Sequence, residues 1–505
     1  MSEAIPGVEF EPPPVRVRDA AVVVLVRGDG PGLEVFWVRR GERLAFSGGF
    51  YAFPGGSVDR ADREAAVSGC PAADAPLLAC AIRETFEEAG VLLVPEARDW
   101  PAGRLSALRA ELLAGAPFGA LLAREGVRLD ASGLLPAGRW VTPEVSPIRF
   151  DARFYLARVP SGTPASVIPG ELSDGAWIAP SAALAQWENG GALLHPPNRH
   201  ALAVLAGFPV ESALPRLRRP PFVGDDHVPD RVEFQRGVQL LPLRTPTLPP
   251  YRHTNCWIVG TGELAIIDPG SPWPEEQDRL DAYLHQLIDE GLRPSCVLLT
   301  HHHRDHAGGA LEAGRRLGVP VLGSAETARR VPGVEGRLAG DGDVIELDGP
   351  RPMRLRALLT EGHAAGHLCY QEEGSGAVFA GDMVAGGTTV VIDPPEGDLG
   401  IYLASLRRLQ ELGPGTLYPA HGFPIPDGPA TLAEYLEHRE LRLRQLREAL
   451  LAGASELADL VERVYADTPP FLHPVARRSA LASLLELQRR GEAAEQGGAW
   501  HPRRA

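Results

Sequence analysis

Residues 297–309, VLLTHHHRDHAGG, run from an apolar stretch into a turn dense in histidine. Within them His301, His303, Asp305 and His306 spell H-x-H-x-D-H. Two imidazoles two residues apart can point the same way from a strand-end loop, and the acid and imidazole that follow can serve a neighbouring ion. Imidazole nitrogen suits zinc, and a carboxylate supplies charge. A surface histidine cluster is a sufficient explanation for a lone His, but not for four ligands in this order after a strand.

A second constellation lies far upstream. FPGGSVDRAD (53–62) is followed by ACAIRETFEEAGVLL (79–93). On a helix Glu84, Glu87 and Glu88 stand at i, i+3 and i+4, so one face presents three carboxylates. Acids so crowded repel unless cations neutralise them. Hard oxygen ligands suit magnesium or manganese, which in turn neutralise a diphosphate. Arg83 can brace the same acids.

The elements that must hold these residues follow from pattern. Residues 20–27 (AAVVVLVR) and 33–39 (LEVFWVR) read as strands bounded by glycine, aspartate and proline. Leu105, Leu108 and Leu112 recur at helical spacing and read as core. From Pro215 the segment PRLRRPPFVGDDHVPDR has no periodicity and reads as a linker. A new strand pattern begins at Val238, and residues 431–492 are helical in pattern, with Leu432, Leu436, Leu441 and Leu446 among the apolar positions. The predicted organisation is an extension 1–17, a first domain 18–214, a linker 215–237, a second domain 238–425 and a helical tail 426–495.

Composition sets outer limits. At 505 residues and 44% hydrophobic the chain can build two domains or three. A formal charge of −15 disfavours nonspecific binding to duplex DNA. All 50 basic residues are arginine, which reads as coding bias rather than function. The five cysteines, Cys70, Cys80, Cys256, Cys296 and Cys369, form no CxxC and no disulfide framework, which favours a reducing compartment. The first twenty residues lack the apolar core of a signal peptide, and no run approaches the ~18 apolar residues that span a bilayer. These features predict a soluble cytoplasmic protein without a membrane partner.

The H-x-H-x-D-H segment resembles the metallo-β-lactamase superfamily, and the rest of that family's pattern follows in order across roughly residues 238–425. Asp268 in AIIDPG matches its first Asp, which orients the site from behind the ligands. His367 in GHAAGHLCY, Asp382 in VFAGDMV and His421 in LYPAHG match the later motifs. The resemblance implies an αββα sandwich and two Zn²⁺. One ion would be held by His301, His303 and His367, the other by Asp305, His306 and His421, with Asp382 bridging. A metal ion lowers the pKa of its bound water from 15.7 to about 7, so hydroxide is available at neutral pH. Asp305 would orient it, and an ester, thioester, amide or phosphodiester would be hydrolysed. His302 is expected to point away and His363 to be structural, while His253, near the first strand, is only a minor candidate for the site mouth.

TPTLPPYRHTNCWIVG (245–260), Gly387-Thr388-Thr389, YLASLRRL (402–409) and the end of the chain, with Tyr435, His438 and Arg439, resemble the β-lactamase-like protein 2 group. There a small winged-helix-like tail follows the metal domain and some members cleave single-stranded RNA. From Asp427 onward, however, this chain has eleven arginines against twelve acids, without the basic excess that RNA binding favours.

The upstream constellation resembles the Nudix hydrolases, an α/β/α fold whose box is G-x5-E-x7-R-E-U-x-E-E-x-G-U, with U aliphatic. The metal-ligand triad Glu84, Glu87, Glu88 is complete, with Arg83 and Gly90 in place. The spacing from Gly56 to Arg83 is 27 rather than 14, an insertion of thirteen; Asp62 replaces the first box acid, with Glu64 close by, and Thr85 stands at a U position. The expanded box and RFDARFYLA (149–157) look like the branch that contains peroxisomal coenzyme A diphosphatases, and Glu171 is a candidate further acid. The resemblance covers about residues 18–205.

Two functions follow as expectations. In the first the chain is a bifunctional metal-dependent hydrolase. The Nudix-like half, with Mg²⁺ or Mn²⁺, cuts a nucleoside diphosphate linkage through Glu84, Glu87 and Glu88. The zinc half cuts an ester, thioester or phosphodiester, so the partners are small phosphorylated or thioester substrates; successive breakdown of an acyl-coenzyme A would unite the two. In the second the Nudix-like half is a non-catalytic nucleotide- or RNA-binding module that serves an endoribonuclease acting on single-stranded RNA.

Overall fold

Residues 17–27 alternate their side chains between two apolar environments, and that alternation builds a sheet covered on both faces. In the computed structural model this segment is β1 (Val17–Arg27). The structure describes residues 15–42, 44, 47–221, 223–335, 341–453 and 456–503. They belong to two compact units divided in sequence between Arg236 and Gly237.

In the first unit β1 is followed by β2 (Glu34–Arg40), β3 (Tyr51–Ala52), β4 (Gly55–Ser57), α1 (Arg60–Glu64), β5 (Val67–Ser68), α2 (Ala75–Ala89), α3 (Ala102–Leu113), α4 (Phe118–Arg124), β6 (Leu129–Asp130), β7 (Leu135–Val141), β8 (Arg149–Arg158), β9 (Leu172–Ile178), α5 (Pro180–Glu188), α6 (Pro196–Gly207), α7 (Val210–Leu217) and β10 (Val232–Gln235). The main sheet runs β3-β2-β1-β8-β7, with β4 beside β1 and β9 beside β2. β1 and β8 are parallel. Ala21, Val23 and Leu25 face one core with α2, α3 and α4. Val24 and Val26 face the other with α5, α6 and α7. The result is an α/β/α layering, with Leu108 and Leu112 buried in the first core as their spacing predicts.

Of the segment read as a linker, the described residues between 218 and 231 carry no helix or strand, and only its ends are regular. Pro215 lies inside α7, where Val210, Ala213 and Leu217 are buried at helical spacing. His227 offers its carbonyl to Val141 N–H, 2.8 Å away, and β10 follows. Of the predicted extension, residues 1–14 lie outside the described residues.

The second unit contains β11 (Val238–Arg244), β12 (His253–Val259), β13 (Glu263–Ile267), α8 (Pro274–Asp289), β14 (Arg293–Leu298), α9 (Arg304–Ala307), α10 (Ala310–Leu317), β15 (Val321–Leu322), α11 (Ala325–Arg330), β16 (Val344–Leu347), β17 (Met353–Leu359), β18 (Leu368–Glu372), β19 (Val378–Gly381), α12 (Leu399–Leu412) and β20 (Leu417–Pro419). One sheet carries β11-β12-β13-β14-β15, the other β16-β17-β18-β19-β20. Where the two sheets meet, Phe379 and Tyr418 stack and Trp257 packs against both at steep angles. Tyr370 Oη donates to Leu299 O across the same interface, at 2.6 Å. α8 and α10 cover the outside of the first sheet, and α12 that of the second. This is the expected αββα sandwich. The tail follows as α13 (Gly428–Leu451), α14 (Leu457–Val464), α15 (His473–Arg489) and a hairpin of β21 (Ala493–Gln496) and β22 (Ala499–Pro502), sharing a core with α12.

This topology sets where chemistry can occur. β13 runs parallel to β14, and β19 parallel to β20. Their carboxyl ends therefore open on one edge of the sandwich, and Asp268, His301, Asp382 and His421 all follow such ends within three residues.

Candidate metal centre

Asp268 is the foundation of the edge. It is a buried non-glycine residue at φ 51°, the left-handed region, and it accepts from Thr300 N–H (2.8 Å) and Thr300 Oγ1 (2.6 Å). Such backbone costs on the order of 1–3 kcal/mol and persists only where surroundings dictate it. The same carboxylate accepts from His306 Nδ1–H at 2.8 Å. The next turn packs so tightly on α9 that a Cβ at Gly270 would stand 1.7 Å from Asp305 O, so only glycine fits.

Each imidazole is oriented by a partner behind it, and the partner fixes the tautomer. His421 Nδ1–H donates to His253 O (2.9 Å), and His363 Nδ1–H to Val391 O (2.9 Å). Thr300 Oγ1 gives its proton to Asp268 and so accepts from His301 Nδ1–H at 3.0 Å. His301, His306, His363 and His421 therefore all turn Nε2 inward, with Thr247 Oγ1 3.4 Å from that of His421. His303 turns Nδ1 inward, 2.9 Å from His301 Nε2 and 3.2 Å from His363 Nε2. Asp382 stands between the groups: Oδ1 is 3.6 Å from His306 Nε2 and 3.5 Å from His421 Nε2, and Oδ2 is 3.4 Å from His363 Nε2. Asp305 Oδ2 lies 3.6 Å from His421 Nε2 and 3.9 Å from His306 Nε2.

His306 Nε2 and Asp382 Oδ1 are buried without a hydrogen-bond partner. Buried polar atoms are rarely left so. Imidazole nitrogens and carboxylates crowded inward in this way are what a cation would satisfy, so the donor set fits divalent metal. His301–His303–His363, His301–His306–Asp382 and Asp305–His306–His421 each bring ligand atoms within 4.8 Å. Electrostatics agree. Burial and then the neighbouring imidazoles of His306 and His303 hold His301 well below the usual histidine range. Burial takes His363 down to about 4 despite Asp382. At His306 burial also pushes down, but Asp382, Asp268 and Asp305 outweigh it and hold the imidazole well above its usual range. Burial opposes ionisation of Asp382, yet His421 and His306 keep it well below the carboxylate range.

One residue departs from the sequence reading. His367, expected as a ligand, has both ring nitrogens engaged: Nε2 accepts from Asp382 N–H (3.1 Å) and Nδ1 faces Thr360 Oγ1 (3.0 Å). It is left without a lone pair to offer and instead steadies the Asp382 backbone. His363, expected to be structural, brings Nε2 into the cluster, beside His303 Nδ1 and Asp382 Oδ2. His302 points away from the cluster as expected, with Nε2 3.0 Å from Glu396 Oε1. His253 meets the site through its carbonyl. The sequence reading missed Glu396 entirely.

In the first unit α2 carries Glu84, Glu87 and Glu88. Arg83 is largely buried: Nη1 lies 2.9 Å from Glu84 and 3.0 Å from Glu87, while Nε and Nη2 grip Asp62 at 3.0 and 2.8 Å. Asp62 thus takes the part of the acid that the altered box spacing seemed to lose, held by a capping box with Asp59. Glu88 accepts from Gly55 N–H at 2.8 Å, and a Cβ at Gly56 would stand 2.4 Å from Glu84. Glu171 pairs with Arg40 at 3.8 Å and is 66% exposed. The three glutamates are not gathered at a single point: Arg83 spans two of them and the third turns to backbone. Burial raises Glu84 to about 7 although Arg83 opposes it, and burial with Glu84 raises Glu88 to about 8. Protons therefore compete with cations for these groups. The affinity of Mg²⁺ for this unit should rise with pH from 6 to about 8 and then level. Titration calorimetry with Mg²⁺ alone measures it, and a pH-independent affinity would contradict it.

Comparison with known proteins gives the same division. The metallo-beta-lactamase superfamily model matches residues 249–421, the NUDT19 Nudix domain model residues 66–205, and the beta-lactamase associated winged helix domain model residues 457–500. Lactamase-like protein adaB of Aspergillus niger is 36% identical over 231 residues, 43% of this chain and 69% of the relative. Lactamase-like protein aptB of Emericella nidulans is 32% identical over 287 residues, 52% of this chain and 84% of the relative. Among solved structures, a beta-lactamase domain protein from Burkholderia ambifaria is 24% identical with a TM-score of 0.46, covering 54% of this chain and 93% of its own. A NUDIX hydrolase from Alicyclobacillus acidocaldarius is 31% identical with a TM-score of 0.37, covering 41% of this chain and 99% of its own. The chain is a hydrolase of the metallo-beta-lactamase superfamily, with a Nudix domain before the metal domain and a winged-helix domain after it.

Proposed function

We propose that the second unit is a binuclear zinc hydrolase for an ester, thioester or phosphodiester, and that the Nudix unit is a Mg²⁺-dependent hydrolase of nucleoside diphosphate linkages. The observation that carries the first part is the convergence of imidazole nitrogens on Asp382, with His306 Nε2 and Asp382 Oδ1 buried without a hydrogen-bond partner. One zinc would be held by His301, His303 and His363, the other by Asp305, His306 and His421, with Asp382 shared. Bound there, the pair supplies Lewis acidity and makes water acidic enough to ionise near neutral pH.

The remaining work falls to the chain itself. Asp268, the His253 carbonyl and the Val391 carbonyl hold Nδ1 protons on His306, His421 and His363, so each presents its other nitrogen. Asp305 aligns the attacking water through its carboxylate. His367 holds Asp382 in register through the backbone.

For the Nudix unit, support comes from three glutamates on one helix face, two of them with ionisation displaced to about 7 and about 8. Displaced carboxylates of this kind cluster at functional sites. A hydrolysis screen of the full chain with nucleoside diphosphate derivatives, acyl-coenzyme A esters and short single-stranded RNAs tests the reading. Turnover of a diphosphate with Mg²⁺ and of an ester, thioester or phosphodiester with Zn²⁺ is expected; turnover of none of these classes contradicts it.

A further inference from the structure

The segment 388–398 runs between the metal centre and the winged-helix tail and touches both. On the metal side the Val391 carbonyl accepts from His363 Nδ1–H at 2.9 Å. Glu396 Oε2 lies 3.8 Å from His303 Nε2, and Glu396 Oε1 3.0 Å from His302 Nε2. Arg330 Nη1 and Ala365 N–H, at 3.3 and 3.4 Å, hold that carboxylate from the far side. Asp398 N–H donates to Gly362 O at 2.8 Å, immediately before His363. Gly362 itself has φ 121°, and a Cβ there would meet the Tyr402 backbone at 2.2 Å, so this junction has no slack.

On the tail side, Tyr435 Oη donates to Thr388 O and Arg439 Nη2 to Val390 O. Arg478 pairs with Asp393, and Arg489 Nη1 with Asp398 at 3.0 Å. Four tail side chains thus grip a strap whose opposite edge carries the partners of His363 and His303.

Resting on the binuclear reading above, we propose that Glu396 is a positioning residue of the metal centre and that the winged-helix tail sets its place through this strap. His303 turns Nδ1 inward and so sets Nε2 toward Glu396, 3.8 Å from Oε2. A carboxylate behind a ligating imidazole fixes the ring and raises its basicity, and losing such a partner typically costs 10–100-fold in metal affinity. The tail is then part of the hydrolytic centre and not an appended module.

The test is zinc affinity of the full chain by chelator competition, with the visible spectrum of the cobalt-substituted protein alongside. Glu396→Ala should weaken one of the two ions about 10–100-fold and alter the cobalt spectrum. Glu396→Gln, which still offers an acceptor oxygen, should recover most of the affinity. Arg478→Met, remote from the ligands, should weaken the same ion in the same direction by a smaller factor. Thermal unfolding of the metal-free proteins separates positioning from misfolding: equal transitions with unequal affinities support the proposal. Wild-type affinity and spectrum in Glu396→Ala would overturn it, as would an Arg478→Met protein that binds both ions like wild type. A wild-type chain that binds fewer than two ions would instead sink the binuclear reading beneath it.

Discussion

Asp382→Asn should lower turnover in the second unit by about 10³-fold, or ~4 kcal/mol of transition-state stabilisation, while the metal-free protein folds as well as wild type. The substitution keeps the shape of the side chain and removes its charge. Asp382 Oδ1 is buried, lacks a hydrogen-bond partner and faces His306 Nε2 and His421 Nε2 at 3.6 and 3.5 Å. An amide there can donate to one of those lone pairs and satisfy it, at the expense of the shared anionic ligand. His306 would also lose the largest of the carboxylate influences that hold it charged. Steady-state turnover with thermal unfolding of the apo protein checks the pair of outcomes. An Asn variant that unfolds early would assign Asp382 to the fold, and one that keeps its turnover would remove it from the chemistry.

The second large effect belongs to the other unit. Glu88→Gln should reduce cleavage of diphosphate substrates by about 10³-fold, the loss expected when a principal electrostatic group is removed, and leave zinc-dependent turnover untouched. Gln can still accept from Gly55 N–H, so the helix stays anchored and only the charge is lost. Because burial and Glu84 push Glu88 up to about 8, its ionised form meets resistance that a bound cation would offset. Parallel assays of both activities read the result. If wild type and variant alike cleave no diphosphate while the zinc unit stays active, the Nudix unit is a binding module.

Much of the second unit was legible before any fold was known. The strand-end motif at 301–306, Asp268, Asp382 and His421 each announce themselves as polar residues that end an apolar strand, and parallel pairing carries those ends to one edge. The choice between His363 and His367 was not legible. Both lie in GHAAGH, and which nitrogen is free depends on Thr360, on the Asp382 backbone and on Val391, a partner 28 positions away. Glu396 had no local signal either, since it lies in a proline-containing loop whose meaning comes only from the tail that holds it. In the first unit the inserted box concealed that Asp62 reaches Arg83, because a capping box and a bidentate contact are formed by folding and not by spacing. At the first linker residues, Pro215 concealed that the helix runs on to Leu217, which completes the buried stripe of Val210 and Ala213.

Equilibrium dialysis of the full chain against zinc, with Glu84, Glu87 and Glu88 replaced by Gln to silence the first unit, most directly tests whether the clustered imidazoles and carboxylates hold a metal pair. Two tightly bound equivalents per chain are predicted, with at least one lost in His363→Ala. One equivalent or none, or an unaltered pair in His363→Ala, would contradict the arrangement.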